Sequence, residues 1–189
     1  MNLALTLIES PIGTLALMAD GSTLVGVDLH GRHADSGVVQ HLTRHLRPHD
    51  KVTFTAHPDA AGAATRLRRY FAGELDVLAE QPVRLHGTEF QRRIWQALTT
   101  IPAGTTWTYA QLALAVGRPR AVRAAGAANG ANPVSLFVPC HRVIGADGTL
   151  WGYGGGLERK AWLLGHEKAP FRANGTNHAA QMGLHLSAF

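Results

Sequence analysis

The chain has 189 residues, 46% of them hydrophobic and 16% charged, a balance that excludes wholesale disorder and contains no run of the roughly 20 apolar residues a membrane helix needs. Its 18 Lys and Arg against 13 Asp and Glu give +5, and only Lys51, Lys160 and Lys168 among those cations are lysines. An arginine-rich excess accompanies GC-rich coding and also suits an anionic partner. The one cysteine, Cys140, excludes an internal disulfide and any zinc site built from several thiolates.

The N-terminal segment MNLALTLIES has no basic leader and no cleavage pattern, so a cytoplasmic protein is expected. Leu3–Ile8, Thr14–Ala19 and Thr23–Leu29 are rich in Leu, Ile, Val and Thr and are separated by the turn-forming clusters 10–13 and 20–22. They predict an antiparallel meander. Val38, Val39, Leu42 and Leu46 fall at helical spacing, Lys51–Thr55 alternates like a short strand, and Ala63, Leu67, Tyr70 and Phe71 mark a helix stopped at Gly73. These elements make a small α/β unit over 1–84.

From Thr88 onward short helices are expected. Thr88 with Gln91, and Thr108 with Gln111, each have the spacing of a capping box. The first opens a helix through Phe90, Ile94, Ala97 and Leu98. The second opens Tyr109–Val116. Gly117-Arg118-Pro119 breaks the chain, and Arg120–Asn129 predicts a further helix, giving a helix-turn-helix pair. That last helix is nearly all Ala and Gly apart from Arg120 and Arg123. It lacks the Asn, Gln and Arg array of a major-groove reader. Its small residues Ala124, Ala125, Gly126 and Ala127 suit close approach to a narrow groove, or equally a close helix contact.

Val134–Val138 reads as a mostly extended apolar run into Pro139-Cys140-His141-Arg142; a glycine-rich loop spans 145–156, and a helix is expected over Leu157–Leu164. Residues 170–189 are expected to form a loose tail, tied down by Met182, Leu184, Leu186 and Phe189. A nucleophilic cysteine must reach its thiolate, which a nearby imidazole favours. On an extended segment Cys140 and His141 point to opposite sides, so they can cooperate only at a bend or through a water. A carboxylate would then orient His141. Asp147 and Glu167 both remain open for that part, while Glu158 serves the start of its helix.

Pro139-Cys140-His141-Arg142-Val143 resembles the active-site motif of the O6-alkylguanine-DNA alkyltransferases. The likeness continues through Tyr109-Ala-Gln-Leu-Ala, Arg120-Ala-Val-Arg123, Asn129-Gly-Ala-Asn132-Pro133, Tyr153-Gly-Gly-Gly and Leu163-Leu164-Gly165-His166-Glu167, in order and at fitting spacing. It implies an α+β protein. A ribonuclease H-like N-terminal domain with an antiparallel sheet (1–84) would precede a mostly helical catalytic and DNA-binding domain (85–169) and the tail (170–189).

The resemblance further implies irreversible transfer of an alkyl group from guanine O6, and from thymine O4, in duplex DNA to Cys140 after base flipping. His141 would act as base through a water, with Glu167 orienting it. Asn132 would brace the two helical segments, and Tyr109 would protonate guanine N3. Val138, Val143, Tyr153 and Gly154 would contact the base, and the backbone carbonyls of Cys140 and Val143 would recognise the guanine amino group. Arg123 would fill the gap in the stack, with Thr108, Arg120 and residues 124–127 against the DNA. No cofactor and no metal are implied, and a monomer is expected, with cooperativity on DNA left open.

Three departures stand out from the family's pattern: Val138 where Ile is common, Gly154 where some members have serine, and no N-terminal cysteines for a zinc site. A non-catalytic lesion-binding protein would not need Cys140, and a Cys–His hydrolase would leave Arg123 and the Ala/Gly helix without a purpose.

Overall fold

A computed structural model of the protein describes residues 1–32, 36–44 and 51–172. Strands β1 (Asn2–Ile8), β2 (Leu15–Asp20) and β3 (Thr23–Asp28) form the expected antiparallel meander. Its first turn closes through Gly13 N donating to the Ser10 carbonyl, with Gly13 at φ +96°, a conformation that favours glycine. Strand β4 (Thr53–Ala56) adds to the other side of β1, but parallel to it, so the sheet order is β3-β2-β1-β4.

The two sheet faces bury different partners, as strand alternation requires. Leu3, Ala16 and Met18 pack on Val39 and Leu42 of α1 (Gly37–Arg44). Leu15, Leu17 and Leu24 face a larger core with Leu67 and Tyr70 of α2 (Ala63–Phe71). That core does not stop at the end of the N-terminal unit. It runs on into Ile94, Trp95 and Leu98 of α3 (Glu89–Leu98), Leu112 of α4 (Tyr109–Ala115) and Ala128 of α5 (Val122–Gly130).

Both capping boxes form. Thr88 and Thr108 each accept from the backbone N–H of the glutamine three residues on, and each glutamine side chain accepts from the cap's own N–H. Helix α3 holds the helix-turn-helix pair in place. Trp95 Nε1 donates to the Ala128 carbonyl at 2.8 Å, and Arg93 donates to the Val116 carbonyl at 2.7 Å. The short strands β5 (Trp107–Thr108) and β6 (Val143–Ile144) pair in parallel, so the start of α4 is tied to the segment just after Cys140.

Two sequence expectations need correction. Helix α5 begins at Val122, not Arg120, because the Ala121 N–H closes a turn onto the Arg118 carbonyl at 2.8 Å and uses up the intervening residues. Val134–Val138 is not extended. It folds into a tight loop in which Val138 N–H returns to the Val134 carbonyl at 2.9 Å and Leu136 adopts φ +76°.

Helix α6 (Leu157–His166) follows the glycine-rich loop, and Arg172 N–H donates to the Gly148 carbonyl at 2.8 Å. Leu46 and the tail anchors Met182, Leu184, Leu186 and Phe189 lie outside the described residues. Among those described, no helix is long and apolar enough to cross a membrane.

Candidate active site

Cys140 begins a single 3₁₀ turn, Cys140–Arg142, and is 4% exposed. Asn132 shapes the approach to it. Its amide nitrogen donates to the Val138 carbonyl at 2.8 Å while its oxygen accepts from Val134 N–H at 3.0 Å. One buried side chain thus staples both ends of the loop, and this overrides the extended preference of the Val-rich run. Asn129 Nδ2 reaches the Cys140 carbonyl at 3.3 Å, and Ser135 Oγ lies 3.7 Å from Cys140 Sγ. The turn supplies the bend that cooperation between Cys140 and His141 requires.

His141 is fully buried, with Nε2 at 3.0 Å from Glu167 Oε1. Glu167 caps the C-terminus of α6. The open choice of carboxylate is thereby decided: Asp147 instead accepts from Thr149 N–H and Oγ1 in an exposed turn. Arg142 grips Glu167 with Nε on Oε2 at 2.9 Å and Nη2 on Oε1 at 2.8 Å. The Tyr70 hydroxyl, from the N-terminal unit, donates to Oε1 at 2.8 Å. Burial works against the Glu167 charge, but the bonds and charges of His141 and Arg142 outweigh it and pull the carboxyl down to about 2. An ionised Glu167 needs the proton on Nε2, which leaves Nδ1 as the lone-pair nitrogen. That Nδ1 is buried and has no protein partner.

Burial lowers the pKa of His141 more than Glu167 raises it, so the ring is neutral. Burial also pushes the Cys140 thiol up, against weaker opposing contributions from Asn132, Ser135 and the Lys160 charge. Lys160 is fully buried and donates to the Trp151 carbonyl at 2.6 Å. Burial brings its ammonium down to about 8, partly offset by Cys140. The Tyr109 hydroxyl donates to the same carbonyl at 3.0 Å, and burial raises its pKa.

A cavity of about 330 Å³ joins Cys140, Asn132, Ser135, Tyr153 and Gly154, and extends to His30 and Arg32 of the N-terminal unit. The Tyr153 hydroxyl is buried and unpartnered. Gly154 has nothing within 4 Å of where a Cβ would stand, and its carbonyl accepts from His30 Nε2 at 3.1 Å. Val138 and Val143 are fully buried and do not line this cavity. Among the described residues no group of three or more His, Cys, Asp or Glu could hold a metal ion.

On the helix-turn-helix, Arg118, Arg120, Arg123, Ala124 and Ala127 are exposed. Ala125 is not: it is fully buried in the core, so it cannot reach DNA. Gly126 backs onto Tyr109, whose ring would lie 3.5 Å from an added Cβ, so a larger residue there would crowd the tyrosine. Thr108 is half-buried as the cap of α4.

Sequence reasoning missed Tyr70, Ser135 and Lys160 and gave Arg142 no part. For Lys160 a signal existed: with Leu157, Ala161 and Leu164 it falls on one helical stripe, where a lysine is out of place. Tyr70 read only as core.

Cys140 shares its turn with His141, whose ring is held by Glu167, an arrangement suited to a cysteine nucleophile with a histidine base. The chain belongs to the 6-O-methylguanine DNA methyltransferase family. Residues 3–85 match that family's ribonuclease-like domain and residues 89–169 its DNA-binding domain.

The chain is 45% identical over 160 residues to the methylated-DNA–protein-cysteine methyltransferase of Salmonella typhimurium, covering 85% of this chain and 92% of that one. The Mycobacterium tuberculosis protein of the same name is 45% identical over 163 residues, covering 86% and 90%. Among solved structures, M. tuberculosis OGT in complex with DNA aligns with a TM-score of 0.70 at 43% identity, over 90% of this chain and 96% of that one.

Proposed function

We propose that this protein repairs O6-alkylguanine in duplex DNA by moving the alkyl group irreversibly to Cys140, once per molecule. The observation that carries the assignment is arithmetic joined to geometry. The family repairs DNA by transfer to a protein cysteine, this chain has a single cysteine, and that cysteine adjoins the buried His141–Glu167 pair. The same chemistry extends to O4-alkylthymine. We assign the structural part to residues 1–84 and the catalytic part to 85–169, with 170–189 as a tail, acting as a monomer on DNA in the cytoplasm.

The reaction runs as follows. O6 of a paired guanine is inside the stack, so the nucleotide must be extruded into a pocket, and the cavity beside Cys140 is the place for it. Arg123, exposed on α5, fills the gap left behind. The small residues Ala124, Gly126 and Ala127 let the helix backbone lie close in the minor groove, with Arg118 and Arg120 on phosphates.

His141 Nδ1 takes the thiol proton through a water, and Glu167 steadies the imidazolium. The sulfur forms a bond to the alkyl carbon as the carbon–O6 bond breaks. The electron pair of that bond passes into the guanine, which takes a proton at N3 from Tyr109. The tyrosine hydroxyl has one proton to give, so it must leave the Trp151 carbonyl to do this. A thioether has no ready leaving path, hence the single turnover.

The test is a duplex containing O6-methylguanine incubated with stoichiometric protein. The expected result is one methyl group on the peptide carrying Cys140 by mass spectrometry, and none with Cys140→Ala, which still binds the duplex. An unmodified Cys140 beside intact lesion would sink the reading.

A further inference from the structure

Among the described residues, Trp151 is the large aromatic side chain left exposed, and the reaction gives it no part. It is 59% exposed, unlike the buried Trp95. Scattered exposed apolar residues are ordinary, but this one is held in place. Its Nε1 donates to Thr149 Oγ1 at 2.7 Å, and that hydroxyl is itself fixed on Asp147 at 2.6 Å. The ring lies over Gly145, where an added Cβ would come within 2.8 Å of Trp151 Cδ1. Any residue but glycine at 145 would push the ring away. The indole is therefore preorganised while its remaining surface is bare to solvent.

Its position gives that surface a purpose. The Trp151 carbonyl accepts from both Tyr109 and Lys160, and Gly152, Tyr153 and Gly154 directly after it line the cavity that holds Cys140. Tyr109 in turn stacks its ring against Gly126 of α5. Trp151 is thus one side chain removed from the DNA-facing helix and one residue removed from the base pocket. A strand lying along α5 would pass near this ring, which stands beside the loop that leads into the cavity.

We propose that Trp151 is a stacking site for a nucleobase next to the extruded guanine. The inference rests on the DNA-repair reading above. Every base offers a π-face, so the contact is indifferent to sequence and suits a lesion found in any context. It also compensates in part for the stacking that the neighbouring base loses when the guanine leaves.

The test compares wild type, Trp151→Ala and Trp151→Phe in single-turnover transfer from an O6-methylguanine duplex and from free O6-benzylguanine. Trp151→Ala should lower the duplex rate, relative to the free-base rate, by roughly 5- to 150-fold. Trp151→Phe keeps an aromatic face but loses the Thr149 bond, and should stay within about threefold of wild type on the duplex. Tryptophan fluorescence of the Cys140→Ala protein should be quenched by an O6-methylguanine duplex, and less so when Trp151→Phe is added.

An alanine variant as fast as wild type on the duplex overturns the proposal. So does an equal loss on both substrates, which would make Trp151 a prop of the loop. The quenching measurement needs no transfer. If wild type fails to alkylate Cys140 while Trp151-dependent quenching persists, the repair reading falls and the stacking contact stands.

Discussion

Glu167→Gln removes one charge and leaves the shape. The native carboxylate, with its side chain fully buried, takes four hydrogen bonds: one from His141, one from Tyr70 and two from Arg142. The amide can accept only at its oxygen, and its NH₂ must face one of those donors. Arg142, 8% exposed as a residue, would be a buried cation without its anion. Breaking such a pair from one side costs about 3–5 kcal/mol.

The depressed pKa, which comes from the same contacts, points to a similar size. A carboxyl held at about 2 instead of its ordinary 4.5 contributes about 3 kcal/mol at neutral pH. For a chain of this length that is a fall in Tm of roughly 6–20 °C. The pH dependence has a definite sign. The folded pKa is depressed, so this stability is present above about 4.5 and is lost as pH falls toward about 2. Urea midpoints taken from pH 7 down to pH 3 should drop steeply for wild type and more gently for Glu167→Gln, which starts lower. Transfer should also slow by about 10²- to 10⁴-fold as the oriented base is lost. A variant within about 1 kcal/mol of wild type at pH 7, with an unchanged pH slope, would refute the account of this cluster.

Tyr70→Phe deletes one hydroxyl bonded to an ion and should cost about 1.5–3 kcal/mol in urea denaturation. A variant as stable as wild type would mean that the N-terminal unit does not support Glu167. Arg123→Ala should slow transfer from duplex about tenfold or more, because the gap costs a few kcal/mol to hold open, and should spare free O6-benzylguanine; equal losses on both count against a gap-filling side chain. Burial depresses His141 below its ordinary 6.5, so the ring is a neutral base at neutral pH. The single-turnover rate should fall only as pH drops below 6.5, and an acid limb centred above that value would contradict the buried, neutral histidine.

What could be read from the chain depended on how local the cause was. The capped starts of α3 and α4 are written in four residues each, and both formed as expected. Sequence places the start of α5 two residues early, because Gly117-Arg118-Pro119 continues into a turn that propensity alone does not lengthen. The loop over Val134–Val138 departs from the sequence expectation for a different reason. Its Val-rich composition favours extension, and the reason it folds is Asn132, whose two amide atoms tie positions on either side of the bend. Cys140 and His141 are adjacent in the chain, whereas Glu167 comes from the resemblance alone, because spacing leaves Asp147 equally open. Tyr70 is not legible at all, since its hydroxyl meets a carboxylate 97 residues away and no periodicity encodes that meeting. Ala125 was assigned to the DNA face with its neighbours, although a helix that buries one side must turn one residue in three or four inward.

A protein that acts once, through its only thiol, gains from keeping that thiol inert until the lesion arrives. Oxidation and metal capture both act on an exposed thiolate, and here Cys140 is 4% exposed with its pKa pushed up by burial. Burial is opposed by Asn132, Ser135 and the charge of Lys160, each of which favours the thiolate. The resting state is therefore a balance and not a dead end. In the proposed mechanism the base is also held ready, with His141 neutral and Nδ1 without a protein partner. An alkylated guanine seated in the cavity supplies what is missing, an electrophilic carbon that lets the sulfur's charge pass into a bond as it forms. Reactivity then follows the presence of the lesion and not the general nucleophilicity of the thiol. On this logic a substitution that opens the Asn132 loop should raise the rate of Cys140 with a small exposed-thiol reagent while lowering transfer from DNA. Parallel loss in both assays would show that burial does not protect the sulfur.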